Sequence, residues 1–529
     1  MKKLSPWDRF LLSLAPRWAM GRIQARRAAD VFARHYEGAS RESRTQNWSR
    51  SNRDGNGTAG PAIEQLRINA RDLVRNNPYA RRGQRVIANN VVGWGLYPKA
   101  VGVPDAQAKT AAELWKAWSD STQCDSEGRL TFPGIQHAVM RHLVTDGEFL
   151  IRKRPRRPED GLDIPMQLQL LEADFLDLNK NEVANAVRGP IVQGIEYDRL
   201  GRRSAYWLFD SHPGSDSPSS ASKPVSADNV LHILDPDRVS QARGVSWLAA
   251  VIVNLKELDE FEDAELVKQK IAACFAAFVT DTNGMSLGTE DESDDTLEAL
   301  SPGSVSYLPP GKDVTMATPP PVVNSEFPTR NLRRIAAGLG IPYEDLTGDY
   351  SQSNFSSSRM ARLAHWGNVW QWQFNMLIPQ LCQGVWGWAM DAAVMAGSLP
   401  SIPGSQWSAP PMPMIEPDKE GLAAQRLVRT GVMTPSEMVR QQGGDPDAHW
   451  EEYAKDLAQL DSLGIQLDSD VRKVSQAGLT QVRAGDSGGG FGGQDAGEVE
   501  KRPDPEEIES PEVLKRVLKE GVMTRGLSN

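Results

Sequence analysis

Hydrophobic positions along this 529-residue chain change period several times, and the changes divide it into elements. From Ala62 to about Val91 the apolar residues Ile63, Leu66, Ala70, Leu73 and Val74 recur at helical spacing. Asn77-Pro78 interrupts that run, because the residue before a proline is pushed out of the helical region. A second helix is therefore expected over Tyr79–Asn90, turning into a strand across Val91–Leu96. Lys109–Ser119 and Phe132–Thr145 read as further helices. Between Glu148 and Leu208 the period drops to two, predicting strands at Phe149–Arg152, Gln167–Leu171, Gly194–Tyr197 and Ala205–Leu208. Asp198–Gly201 has the chemistry of a hairpin turn, and Ser211–Ser226 that of a Ser/Pro-rich loop.

Helical spacing returns over 246–279 (Val251, Leu255, Leu258, Ala264, Leu266, Ile271), longer than a usual globular helix. An acidic stretch, short β segments at Val305–Leu308 and Val314–Ala317, and the run Pro319-Pro320-Pro321 come next. A helix is expected over Thr329–Leu339, then a polar loop, Gly348–Ser358. Beyond it lies a long apolar helical region broken by Pro379 and ending near Gly397. Asp418–Thr430, Pro435–Gln442 and Tyr453–Leu463 read as shorter helices. The mixture of helical runs with a block of short strands is an α+β pattern.

Charge alters this picture more than bulk composition does. The net charge is −10, yet residues 1–100 carry 19 Lys/Arg against 7 Asp/Glu, and residues 281–300 carry seven acids and no base. Such segregation predicts different partners at different places on the molecule. The 40% hydrophobic content suffices for sizeable cores. Cys124, Cys274 and Cys382 are scattered and form no CxxC pair, so neither a disulfide framework nor a zinc ribbon is indicated. No eighteen-residue apolar run exists, which argues against a membrane-spanning helix. The apolar patch Phe10–Leu14 is cut short by Pro16 and Arg17 and reads as an amphipathic segment, not an export signal.

Candidate chemistry is sparse. Gly485-Asp486-Ser487-Gly488-Gly489 spells a serine-protease string, but it lies in a Gly-rich tail with no histidine in a matching setting. There is no GxxxxGK[ST] phosphate loop and no HExxH or paired Cys/His set, so no cofactor is expected. The pairs Asp146/Glu148 and Glu172/Asp174 are the best carboxylates for a metal site, although turns beside strands supply such pairs routinely. The cluster Trp366, Trp370, Trp372, Trp386 and Trp388 is read as core packing in preference to base stacking.

Several strings taken in order resemble one family. They are Ala70–Ala80 (ARDLVRNNPYA), Asn89-Asn90-Val91-Val92-Gly93, Gly147-Glu148-Phe149 and Gln169–Asp174 (QLLEAD). Gly194–Asp198 (GIEYD), His232-Ile233-Leu234, Arg243–Leu248 (RGVSWL), Leu346–Ser351 (LTGDYS) and Asn354–Arg359 (NFSSSR) follow. Their collinearity over roughly 60–460 is similar to that of the lambda-type portal proteins of tailed phages. The resemblance implies a ring of about twelve subunits around an axial channel for double-stranded DNA. It also implies an α/β wing, a helical stem, a small β-containing clip and a mostly helical crown. Implied partners are the terminase large subunit (the motor), a head-completion or connector protein, and the major capsid or scaffold protein. The place implied is the capsid vertex of the virion, with assembly in the host cytoplasm.

Fitted to that plan, residues 1–60 form a basic arm, 61–245 the wing, 246–279 a stem helix and 280–328 the clip. Residues 329–347 become a second stem helix, 348–358 the channel loop, 359–400 wing helices, 401–470 the crown and 471–529 a disordered acidic tail. Asp349, Tyr350, Ser351, Gln352 and Asn354 would then lie near moving DNA, and their mostly uncharged chemistry suits contact without grip. Lys312, Arg330, Arg333 and Arg334 are the candidates for DNA-backbone contact. Glu290, Asp291, Glu292, Asp294 and Asp295 make up a motor-facing acidic clip. The competing readings are a metal-dependent DNA-processing enzyme built on Asp146, Glu148, Glu172 and Asp174, and a virion adaptor without a channel, usually a much shorter chain.

Overall fold

The computed structural model describes residues 52–185, 188–216, 221–273, 277–281, 312–316 and 326–467, with single breaks at 443, 445 and 466. The basic arm before residue 52, the acidic clip residues Glu290–Asp295, the β segment expected at Val305–Leu308, Ser487 and the expected acidic tail lie outside them. One compact unit extends to His449, and a second begins at Trp450.

The first unit opens with α1 (Gly55–Asn76), capped by Asp54, whose carboxylate accepts from the Gly57 amide at 2.8 Å. Helix formation thus reaches back into the expected arm, because an N-cap acceptor, Asp54, stands nine residues before Ile63, the first periodic apolar position. Asn77 ends α1 and caps α2 (Pro78–Val92), with Pro78 at the first helical position. Val91 and Val92 therefore belong to the helix. The strand expected there begins instead at Tyr97, after Gly93 and Gly95 turn the chain at positive φ. This strand, β1 (Tyr97–Val101), is followed by α3 (Asp105–Ser119) and α4 (Phe132–Asp146).

A block of strands comes next: β2 (Glu148–Pro155), β3 (Met166–Leu171), β4 (Ile191–Val192), β5 (Ile195–Tyr197), β6 (Arg203–Leu208), β7 (Lys223–Ser226) and β8 (Val230–Leu234). They form two antiparallel sheets, ordered β3-β2-β8 and β4-β5-β6-β7. Part of the Ser/Pro-rich loop is thus strand, Lys223–Ser226 pairing with Ala205–Leu208. Asp198 closes the β5–β6 turn by accepting from the amides of Leu200 and Arg202, both at 2.8 Å.

The helix expected over 246–279 is shorter. Ser246 caps a 3-10 turn (Trp247–Ala250), α5 spans Ile252–Ala273, and Ala277–Asp281 is already a strand, β9. That strand pairs antiparallel with β10 (Lys312–Met316), Asp281 facing Lys312 and Ala277 facing Met316. Helix α6 (Phe327–Leu339) then lies antiparallel to α5. Near one end of the contact the Asn254 side-chain amide donates to Asn331 Oδ1 and the Asn331 side-chain amide donates back to the Asn254 backbone carbonyl. Near the other the Phe261 and Phe327 rings sit 4.7 Å apart. The second expected stem helix, 329–347, is two helices, because Gly340 takes a left-handed conformation (φ 67°) and Pro342 precedes α7 (Tyr343–Thr347).

The expected loop 348–358 ends at Asn354, which forms a reciprocal capping box with Ser357 and starts α8 (Phe355–Gln371). From there the chain stays helical as far as Met395. The segment Trp372–Cys382 widens into a π-helix, continued by α9 (Gln383–Met395). Pro379, expected as a break, sits inside the π segment. A proline there lacks the amide hydrogen of the ordinary helical bond, and a wider turn accommodates it. Strand β11 (Gly404–Ser408) interrupts the helices of the mostly helical span expected over 401–470, pairing with β1 from Tyr97↔Ser408 to Val101↔Gly404. The described chain up to His449 also holds α10 (Pro417–Arg429) and α11 (Pro435–Gln441). The last helix, α12 (Pro446–Leu463), carries the Trp450 and Tyr453 rings edge to face in the second unit. No helix among the described residues is long and apolar enough to cross a membrane.

Tryptophans anchor the main core. Trp115 touches Trp118, Phe132, Trp386 and Trp407 at centroid distances of 5.1–5.8 Å. Trp366 and Trp386 are buried, and Trp372 packs on Trp247, but Trp370 remains half-exposed. Core packing therefore accounts for most of the cluster and not for Trp370. A smaller core of Leu150, Leu171, Leu176, Ile195, Tyr206 and Leu208 joins the two sheets.

Candidate functional site

Helix α1 places Arg67 and Arg71 one turn apart, on a side shared with buried Ile63, Ala70 and Leu73. Both guanidinium groups reach the junction where α4 turns into β2. That junction requires Gly147, at φ 88°, because a Cβ there would stand 2.2 Å from the backbone of Val245. A Cβ on Gly244 would likewise meet the Gly147 carbonyl at 2.1 Å. Two glycines thus bring two backbone segments into contact and set Arg243 against Glu148.

Glu148 is fully buried and saturated with donors. It accepts from Arg67 Nη2 (2.9 Å), Arg243 Nε (2.8 Å), His232 Nε2 (2.9 Å) and the Gly244 amide (2.9 Å), with Arg243 Nη2 at 2.6 Å. Arg243, also fully buried, directs its remaining N–H groups to the carbonyls of Ala173, Leu176 and Gln193. Burial alone would raise the Glu148 carboxyl; Arg243, His232 and Arg67 overcome it and hold the group far below the usual carboxylate range.

A second layer continues from Arg71, which donates to both oxygens of Asp146 (2.7 and 2.9 Å) and to Asp174 (2.5 Å), with Glu172 at 3.2 Å. Asp174 also accepts from Arg67 at 3.2 Å, and His142 adds a contact to Asp146 at 3.0 Å. The oxygens of Glu172 and Asp174 and a nitrogen of His212 lie close enough together to hold a metal ion. Arg71 Nη2, however, already stands between the two carboxylates as their cation. Asp146, Glu148, Glu172 and Asp174 are therefore brought together as expected, but facing arginines, and the metal-enzyme reading loses its best residues.

His232 carries the pH sensitivity of this network. Burial pushes its imidazole down to about 4, against the opposing pull of Glu148. The neutral ring donates from Nε2 to Glu148 and accepts at Nδ1 from Arg203 (3.3 Å). Between pH 6.5 and about 4 the unfolded chain takes up a proton that the folded chain does not, so stability must fall as pH falls through that window. A loss on the order of 1 kcal/mol between pH 7 and pH 5 is expected in urea titrations. His232→Gln should flatten that slope, and an unchanged slope would remove His232 as its source.

The expected channel loop lies on the surface. Asp349, Tyr350, Ser351, Gln352 and Asn354 are all exposed. The loop is ordered by its own polar groups: Asp349 accepts from the Ser351 amide (3.0 Å), and the Tyr350 carbonyl accepts from the Ser353 hydroxyl (3.0 Å). At its base Arg82 donates to the Asp345 carbonyl (2.7 Å), and the Tyr350 hydroxyl reaches the Asp345 carboxylate (3.3 Å). Ser351 holds the Asp349 carboxyl below its usual range, so the one ionised side chain from Asp349 to Asn354 is an anion. Phosphate would be repelled there.

Arg330, Arg333 and Arg334 form an exposed stripe on α6, opposite buried Leu332, Ile335 and Leu339. Arg330 pairs with Glu326, and Arg333 lies over the Tyr343 ring at 5.6 Å. Lys312 begins β10, across from Asp281. The arginines of the buried network are what periodicity alone misses. Their signal lies in the strings themselves: Ala70–Ala80, Gly147-Glu148-Phe149, Gln169–Asp174, His232-Ile233-Leu234 and Arg243–Leu248 all supply residues to, or next to, the network.

Comparison with known proteins agrees with that convergence. The family model for phage portal proteins of the lambda family matches residues 41–373. The probable portal protein of Halomonas phage phiHAP-1 is 28% identical over 448 residues, covering 79% of this chain and 85% of that protein. Portal protein B of Escherichia phage lambda is 22% identical over 482 residues, covering 80% and 88%. A chain in the solved virion of a gene transfer agent particle aligns with a TM-score of 0.43 at 15% identity, over 73% of this chain and 94% of that one. With the family model matching well over half of its length, this chain belongs to the lambda family of phage portal proteins.

Proposed function

We propose that this portal protein closes into a ring of about twelve copies at one capsid vertex, through which double-stranded DNA enters and leaves the head. The observation that carries the reading is the family match over 41–373, a span that includes the α5–β9–β10–α6 hairpin and the exposed loop after α7. Residues 55–245 serve as wing, α5 and α6 as stem, and 277–316 with the acidic stretch as the clip, presented to the terminase large subunit. Asp349–Asn354 line the channel, and the later helices contribute to wing and crown. A connector protein docks after packaging, and capsid or scaffold protein surrounds the wing. The absence of cations between Asp349 and Asn354 supports passage without grip, since each neutralised phosphate adds steeply to affinity.

The test is the mass of purified assemblies, with negative-stain images along the particle axis. Rings of about a dozen subunits with a hole wider than duplex DNA are expected. A chain that stays monomeric, and that is not recruited into rings when added to an assembling head, would refute the reading.

A further inference from the structure

The helical hairpin α5/α6 carries two charge stripes of opposite sign. On α5, Glu257, Glu260 and Asp263 are exposed one turn apart, along a face whose other members include Val253, Ala264 and Val267. Glu260 has only Lys256, 3.6 Å away in an exposed pair, and neither Glu257 nor Asp263 forms an ion pair among the described residues. Acid is crowded along this helix: the Glu262 carboxyl is raised by burial and then by Asp259 and Asp263. On α6 the exposed stripe is Arg330, Arg333, Arg334 and Ala337, with no acid inside the helix. The Arg334 side chain makes no hydrogen bond or ion pair among the described residues, and the exposed Arg330–Glu326 pair contributes little to stability.

We propose that the arginine stripe of α6 in one copy docks on the acidic stripe of α5 in the next copy, and that this contact sets the head-to-tail order of the ring. The proposal rests on the ring reading above and names its interface. The occupant follows from charge complementarity within one chain, each stripe being the counterpart of the other. A contact between two different faces leaves an acidic stripe free at one end and a basic stripe at the other, so it propagates until rotation closes it. Opposite charges between copies speed encounter and fix register, while like faces repel and exclude the reverse order. DNA is the less suitable occupant of the arginines. The neighbouring helix of the same hairpin would repel it, and three cations per subunit around a channel would hold a duplex that must slide.

The experiment uses the full chain with two exposed double variants, R330E/R334E and E257R/E260R, and reads ring yield by native mass and negative-stain imaging. Wild type gives rings. Each variant alone should give at least about tenfold fewer, since two reversed charges per interface turn attraction into repulsion. Equimolar mixing should restore rings, because the acidic-only copy and the basic-only copy then alternate. Restored rings on mixing would establish the interface whatever the variants do alone in packaging. Wild-type ring yield in both single preparations would overturn it, and so would folded variants that do not recover on mixing. Variants that form normal rings yet lose packaged DNA would assign the arginines to the duplex instead. A wild type that never forms rings would overturn the ring reading itself, a result visible before any variant is made.

Discussion

Replacing Glu148 with leucine is expected to destabilise the fold by about 3–5 kcal/mol, the usual consequence of removing one partner from a buried charge set. The carboxylate is where Arg67, Arg243, His232 and the Gly244 amide converge. Without it, Arg243 is left inside with carbonyl acceptors but no counter-ion, Arg67 keeps only Asp174, and the His232 Nε2–H and Gly244 amide lose their acceptor. Domain stabilities run to only about 5–15 kcal/mol, so much of the folded population would be lost. The urea midpoint of the variant measures the effect. Asp174→Asn is the comparison, because Asp174 is partly exposed and Arg71 would keep Asp146; its loss should be distinctly smaller. Equal losses at the two positions, or a Glu148→Leu loss below about 1 kcal/mol, would show that the buried set does not act as a unit.

The second large effect concerns DNA. S351R/Q352R places two cations per subunit in an exposed loop whose ionised residue is now an anion, without touching the capping box at Asn354. Rings should form as in wild type. Translocation should slow and become salt-dependent, recovering as salt rises, because the affinity of each phosphate contact falls with salt at a log–log slope of roughly 0.9. Packaging rate against ionic strength is the measurement. A rate unchanged from wild type at every salt concentration would move the loop away from the DNA path.

Helix existence was the most legible part of the fold, because Ile63 to Val74 and Phe132 to Thr145 keep a strict apolar period that packing then uses. Ends were less legible. Val91 and Val92 have strand chemistry but remain in α2 until Gly93 stops it, and the buried apolar face of a helix tolerates β-branched residues. Residues 277–279 look helical in sequence and join a ladder instead, since their partner strand lies over thirty residues away and leaves no local trace. Strand β11 was invisible for the same reason: its partner is β1, more than three hundred residues earlier. In the site, the carboxylates stood out by their turn-side spacing, whereas Arg67, Arg71 and Arg243 acquire meaning only when three distant segments meet. The loop Gly348–Asn354 was legible as polar chemistry between helices. Its true end was set by one side chain, Asn354, turning back to cap α8.

The π-helical segment between α8 and α9 also fixes chain length. It presents Trp366 and Val369 to the core on one side and delivers Val385, Trp386, Ala389 and Ala393 to the core on the other. The wide turns set the angular phase between these two buried faces. Each residue gained or lost in Trp372–Cys382 would rotate α9 by about 100° relative to α8 and turn the Trp386 face toward water. In this protein the segment works as a ruler: substitutions within it can be absorbed side chain by side chain, but a change in its residue count must be matched by an equal and opposite change before Gln383.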